Sequence, residues 1–203
     1  MLEHQRPLFN LPEDITYLNC SYMSPMLKAV AEVGVKGIYG KEDPTVVKPE
    51  DFFTNTQRAR TQFGQLINAP AEQCVIVPSV SYGMANVAKN LRVGKGDNIV
   101  VADEQFPSNV YAWMALREEK GVEIKFVAPP KMKEGRGKKW NELILDAIDA
   151  NTKLVATGHV HWADGTLFDL KAIRERTRAV GALMVIDGTQ SIGALPFDVE
   201  EFQ

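Results

Sequence analysis

The sequence predicts an α/β fold, a mostly parallel sheet covered by helices on both faces. Three observations predict it. Short β-rich runs recur at CVIVP (74–78), NIVVAD (98–103), EIKFVA (123–128), KLVATGH (153–159) and LMVIDG (183–188). Helical patterns lie between most of them, at 82–91, 109–120, 140–149 and 170–180. Strands that alternate with helices imply right-handed crossovers, hence parallel pairing.

The elements before this alternation are less regular. An irregular N-terminal arm leads into a helix over 26–39, followed by the polar, proline-bounded stretch KEDPTVVKPE. From Pro49 a long helical pattern runs to about Asn68, with Phe52, Phe53, Phe63, Leu66 and Ile67 as its apolar members. Pro49 suits a first helical turn, and Asn68-Ala69-Pro70 suits an end. The expected organisation is therefore an arm and helix over 1–48 and a larger α/β domain over 49–203. No internal repeat or long linker interrupts it.

Composition narrows the function. At 203 residues and 22.6 kDa, with 45% hydrophobic and 24% charged residues, the chain has the balance of an ordinary soluble domain with one sizeable core. A formal net charge of -3 argues for no nucleic-acid and no membrane partner. The densest basic stretch, 131–139, reads as a glycine-containing surface loop. No apolar run has the length of a membrane span, and the first residues lack the apolar stretch of a secretory signal. Cys20 and Cys74 form no CxxC pair, and Cys74 reads as a small buried residue at a strand start. A reduced, cytoplasmic setting is the expectation.

In parallel sheets ligands sit beyond the carboxyl ends of the strands, so the residues that follow each run carry the information. After 74–78 comes PSVSYGMAN, in which hydroxyls meet a helix N-terminus. Such a turn can hold an anion, and Ser81 also suits a plain N-cap. Neither a Walker lysine nor G-x-G-x-x-G opens this helix, which argues against a nucleotide. After 98–103 comes DEQFPSNVYAW, where Phe106 can either stack on a flat heteroaromatic ring or staple the next helix. Asp187 ends the apolar run ALMVI, and a carboxylate at the rim of a buried strand needs a partner. A protonated ring nitrogen would serve. A catalytic or metal-binding role and a simple turn before Gly188 are the alternatives. His159 and His161, with Asp164 nearby, raise a metal site against ordinary polar contacts. The metal reading is set aside in favour of polar contacts, with no metal ligand assigned. Hydroxyls, an aromatic ring and an acid thus converge on one sheet edge.

The segments VPSVSYGMANVAKNL, DEQFPSNVYAW and above all VIDGTQSIGALPFDV resemble the class V aminotransferase family, which includes cysteine desulfurases, kynureninase and isopenicillin N epimerase-like enzymes. The resemblance covers nearly the whole chain. It implies an incomplete large domain of the aspartate-aminotransferase-like (fold type I) kind, with pyridoxal 5′-phosphate as cofactor and an amino acid or amine as substrate. It implies that Val80 and Ser81 hold the phosphate, that Phe106 stacks on the ring where desulfurases have His, and that Asp187 pairs with the pyridinium. Gln190 would contact the ring's phenolic oxygen. Trp162, where desulfurases carry Asn, and Asn109 are weaker substrate or cofactor candidates. A homodimer is also implied.

The resemblance places the Schiff-base lysine after the strand that follows the Asp187 motif, and residues 179–203 contain no lysine. The expectation is a pyridoxal-phosphate enzyme of unresolved subtype (transamination, lyase or epimerase), with this chain alone inactive and the C-terminal small domain absent. The alternative is a non-catalytic remnant or binding module that keeps the fold.

Overall fold

A computed structural model describes residues 3–202. The chain forms two compact units, Met1–Arg58 and Ala59–Gln203, divided within one helix. The first holds α1 (Lys28–Tyr39) and the start of α2 (Asp51–Ile67). Its arm is tied locally, by a bridge between Phe9 and Leu27 and by the Tyr17 hydroxyl donating to Met23 O at 2.6 Å.

The second unit begins on the last turns of α2. Asn68 ends that helix in the left-handed region (φ 56°), which Asn tolerates better than most residues. The following turn folds back on the helix. Ala69 N donates to Gly64 O (2.8 Å), and Arg60 Nε donates to Ala71 O and Cys74 O (2.9 and 2.7 Å). A Cβ on Gly64 would overlap the Ala69 carbonyl, so only glycine permits this approach.

Four parallel strands follow, β1 (Asn98–Ala102), β2 (Glu123–Val127), β3 (Thr152–Gly158) and β4 (Leu183–Asp187), in the order β2-β1-β3-β4. Helices α3 (Val80–Asn90) and α4 (Tyr111–Lys120) cover one face, burying Met84, Trp113 and Leu116 against Ile99, Val101, Leu154 and Ala156. Helices α5 (Arg136–Ala147) and α6 (Leu170–Val180) cover the other, burying Trp140, Ile144 and Ile173 against Val100, Ala102 and Val155. Alternate residues of β1 and β3 thus feed two cores, and both strands read as unbroken apolar runs because both faces are buried.

Two expectations are corrected. The run CVIVP forms no strand. Val75, Ile76 and Val77 stand 78%, 58% and 39% exposed, with no ladder partner among the described residues. β-propensity marks a run that fits a sheet, but pairing is a tertiary event. Cys74 is nonetheless buried. The basic stretch is also only half loop, because Gly135 turns in the left-handed region (φ 66°) and α5 starts at Arg136.

The amino-terminal edge of the sheet carries a polar clasp. Asp149 accepts from Lys125 Nζ (2.6 Å), Asn98 Nδ2 (2.9 Å) and Asn151 N (2.8 Å), while Thr152 Oγ1 donates to Asn98 Oδ1 (2.8 Å). The Lys125 ammonium first, then Asn98 and Asn151, hold the Asp149 carboxyl well below the usual carboxylate range. A lowered folded-state value stabilises the fold above the unfolded pKa of about 3.9, and that contribution is lost as pH falls through the folded value. The stability difference between wild type and Asp149→Asn is therefore expected to be constant above about pH 5 and to shrink below about pH 4 in urea titrations. Half-exposure of the pair keeps the effect small and salt-sensitive.

Candidate functional site

With all strands parallel, their carboxyl ends share one edge. β1 connects to β2 on one side and pairs with β3 on the other, so the order reverses between β1 and β3. A crevice opens at such a switch point. The turn after β1 carries Phe106, and the turn after β3 carries Trp162. The two rings meet edge-to-face at this switch point, with centroids 5.5 Å apart at 87°.

The β1 turn is unusual. Glu104 has φ 56°, a left-handed conformation that costs a non-glycine residue roughly 1–3 kcal/mol unless its surroundings hold it. Two ring donors do so. Trp162 Nε1 donates to Glu104 O at 2.8 Å, and His161 Nε2 lies 3.1 Å from the same oxygen. A carbonyl only accepts, so His161 Nε2 carries the proton. The imidazole is 3% exposed and rests against the Trp140 ring. Its Nδ1 is 3.2 Å from Asp164 Oδ1 without hydrogen-bond geometry, and Asp164 is ion-paired to Arg136. Burial pushes the pKa of both His161 and His159 down. The His159 ring packs on Phe197 instead, so the two histidines serve different neighbours. Among the described residues, no group of three or more His, Cys, Asp or Glu gathers as a metal site.

Gln105 anchors the same turn from below. Its Nε2 donates to Ala156 O (3.1 Å), its Oε1 accepts from Asn109 Nδ2 (3.2 Å), and Asn109 Oδ1 accepts from Trp113 Nε1 (3.3 Å). Asn109 is fully buried with both ends of its amide engaged inside the protein, so it braces the turn rather than facing the crevice. Phe106 itself is 45% exposed and N-caps the short 3₁₀ turn Pro107–Asn109.

Asp187 ends β4 opposite Gly158 in the register, and His159 N donates to Asp187 O at 3.1 Å. Its Oδ1 accepts from Thr189 N (3.0 Å) and Thr189 Oγ1 (2.5 Å), which folds the next turn back and leaves the carboxylate partly exposed. Gly158 beside it is buried, and a Cβ there would press on the Val160 carbonyl. Gln190 sits half-buried in the turn that follows. On α3 the cap is Ser79, whose Oγ accepts from Tyr82 N (3.1 Å), and not Ser81. Val80 and Ser81 are therefore the first two helical residues, exposed where N–H groups lack intrahelical partners. Helix α3 also packs against the 3₁₀ turn that follows Phe106.

The structure thus joins Phe106 to Trp162 and sets Asp187 beside Gly158 on the same edge. Sequence reasoning missed Gln105, and it named Ser79 only within a hydroxyl-bearing turn and His161 only as a metal or polar-contact candidate. Ser79 had a signal, a hydroxyl three residues before an N–H in need of a cap. The roles of the other two depend on contacts more than fifty residues away. On the strands, Lys125 and Lys153 are ion-paired to Asp149 and Asp97 towards the opposite edge.

Comparison with known proteins gives a consistent picture. The family model "Aminotransferase class-V" matches residues 45–203. A probable cysteine desulfurase of Methanothermobacter thermautotrophicus is 38% identical over 143 residues, covering 70% of this chain and 34% of that protein. The uncharacterized aminotransferase YcbU of Bacillus subtilis is 30% identical over 207 residues, covering 98% and 52%. Among solved structures, a C-DES variant with glycine covalently linked to its PLP cofactor superposes with TM-score 0.81 at 20% identity, covering 99% of this chain and 54% of that one. The Escherichia coli cysteine desulfurase CsdA gives 0.78 at 20% identity, covering 97% and 51%. The α/β architecture is the one these structures share. The chain spans about a third to a half of the length of these relatives.

Proposed function

Because the chain belongs to the class V aminotransferase family, we propose that it is part of the large domain of a pyridoxal 5′-phosphate enzyme acting on an amino acid or amine. The observation that carries this reading is the strand-end edge that Asp187 and Phe106 share: a partly exposed acid at the end of β4 and a partly exposed aromatic ring after β1. Such an edge fits a planar cationic heterocycle. The bound cofactor supplies an electron sink for negative charge at the substrate's α-carbon.

The chain's own residues bind and orient that group. The exposed start of α3 at Val80 and Ser81 receives the phosphate through backbone N–H groups and a hydroxyl, aided by the helix dipole. Phe106 packs on the ring. Asp187 keeps a proton on the ring nitrogen, its geometry fixed by Thr189. Gln190 faces the phenolic oxygen, and Trp162 walls the crevice. Asn109 supports Phe106 from the core. Reduced, cytoplasmic surroundings and a homodimer belong to the same proposal. The desulfurase and aminotransferase relatives leave transamination and carbon–sulfur chemistry as the leading subtypes, and Phe106 in place of His disfavours the desulfurase.

A second reading, a cofactor-binding module without chemistry of its own, is favoured by one observation. The segments that follow β1, β3 and β4 contain no lysine, and Lys131 and Lys133 lie in the turn after the edge strand β2. The expected outcome for this chain is reversible binding of pyridoxal phosphate with no specific amine adduct. Reduction of the mixture with borohydride and peptide mapping checks it. Scattered surface labelling is expected, and one stoichiometric lysine adduct with the yellow absorbance band would show that the chain supplies its own amine. Absence of any saturable binding would remove the cofactor reading itself.

A further inference from the structure

We propose that His161 is a positioning residue, which holds the Phe106 ring in place over the crevice by acting through the Glu104 carbonyl. The inference rests on the reading of Phe106 as the ring that packs on the cofactor. His161 cannot reach a ligand itself, being 3% exposed, and its protonated Nε2 is committed to Glu104 O at 3.1 Å. What it holds is a strained turn. Glu104, at φ 56°, lies two residues before Phe106, and with His161 gone only the Trp162 Nε1 donor (2.8 Å) remains on its carbonyl, too little to keep the turn from relaxing toward an ordinary conformation. Relaxation would swing Phe106 away from Trp162, whose ring it meets at 5.5 Å.

The imidazole is itself wedged. Trp140 packs on its ring with centroids 4.9 Å apart, Arg136 lies over Trp140 at 5.3 Å, and Arg136 pairs with Asp164, which faces Nδ1. A rigid α5 side chain therefore fixes the donor that fixes the turn. An apolar residue at 161 could fill the space but could not supply the N–H. The chemistry at this position is donation, which explains a polar ring in a buried site.

The test uses the whole chain, with 4-deoxypyridoxine 5′-phosphate as probe because it has the ring and phosphate but no aldehyde. Two readouts are taken: the probe Kd, and the NMR nuclear Overhauser contact between the Phe106 and Trp162 rings in the free chain. His161→Phe is expected to lose the ring contact and to weaken the probe about three- to tenfold, the range an aromatic pair carries. Inorganic phosphate, which would engage only the α3 terminus, should bind as in wild type, whereas a merely structural role would weaken both ligands. His161→Gln, which keeps an N–H donor, should restore contact and affinity, and adding Phe106→Leu to His161→Phe should cost nothing more. Retention of the ring contact in His161→Phe overturns the proposal, as does a probe Kd within twofold of wild type when Phe106→Leu alone weakens it. If Phe106→Leu leaves the probe Kd unchanged, the stacking reading of Phe106 fails, and the ring contact decides the role of His161. Should His161→Phe not fold, the smaller His161→Leu takes its place.

Discussion

Asp187→Ala is expected to leave the chain folded while weakening pyridoxal phosphate by roughly ten- to a hundredfold, the size of one charge-assisted hydrogen bond. In a longer chain that includes the family's lysine, turnover should be abolished. The fold survives because, among the described residues, the carboxylate bonds within the Thr189 turn, and the backbone pairing with His159 is untouched. Equilibrium titration with the cofactor, alongside far-UV circular dichroism, separates the two effects. Binding within twofold of wild type would return Asp187 to a turn-forming role.

Trp140→Ala should be the most damaging change to stability, at about 3–5 kcal/mol. Its side chain is fully buried, packs on Phe168 at 5.2 Å and on His161, and donates from Nε1 to Val127 O at 2.7 Å. Truncation opens a cavity and removes one of the two donors on that carbonyl, which also accepts from Asp103 N at 3.0 Å. A domain with about 5–15 kcal/mol in total would lose a large share of it. Urea unfolding checks the magnitude, and a loss under about 1 kcal/mol would mean that the site collapses and repacks.

Much of the fold was legible because local pattern and tertiary role agree. The helix at 170–180 was read with the observed bounds, its end fixed by Gly181 in the left-handed region. Four of the five β-rich runs are strands, and their parallel pairing follows from the helices between them. The run CVIVP failed because composition reports what a segment can join, while its neighbours decide what it does join. At the candidate site, Phe106 and Asp187 were legible as strand-end residues because one comes soon after β1 and the other ends β4. Their supports were not. Nothing in the sequence ties Gln105 to Ala156 or His161 to Glu104, and Asn109, named as a weaker substrate or cofactor candidate, is wholly enclosed.

The sheet order has a consequence for folding. β1–α4–β2 and β3–α6–β4 each join neighbours in sequence, so each half can form by local search. The β1–β3 seam must bring together residues more than fifty positions apart, such as Asn98 and Thr152, and it is the slower step by loop-closure entropy. The crevice lies on that seam. A molecule bound there recognises only the docked halves, and mass action then adds RT ln(1 + [L]/Kd) to their association. At a hundredfold excess over Kd that is about 2.7 kcal/mol. A ligand held at the edge between Phe106 and Asp187, as proposed, would therefore act as a late folding partner as well, closing the joint between the two halves of the sheet.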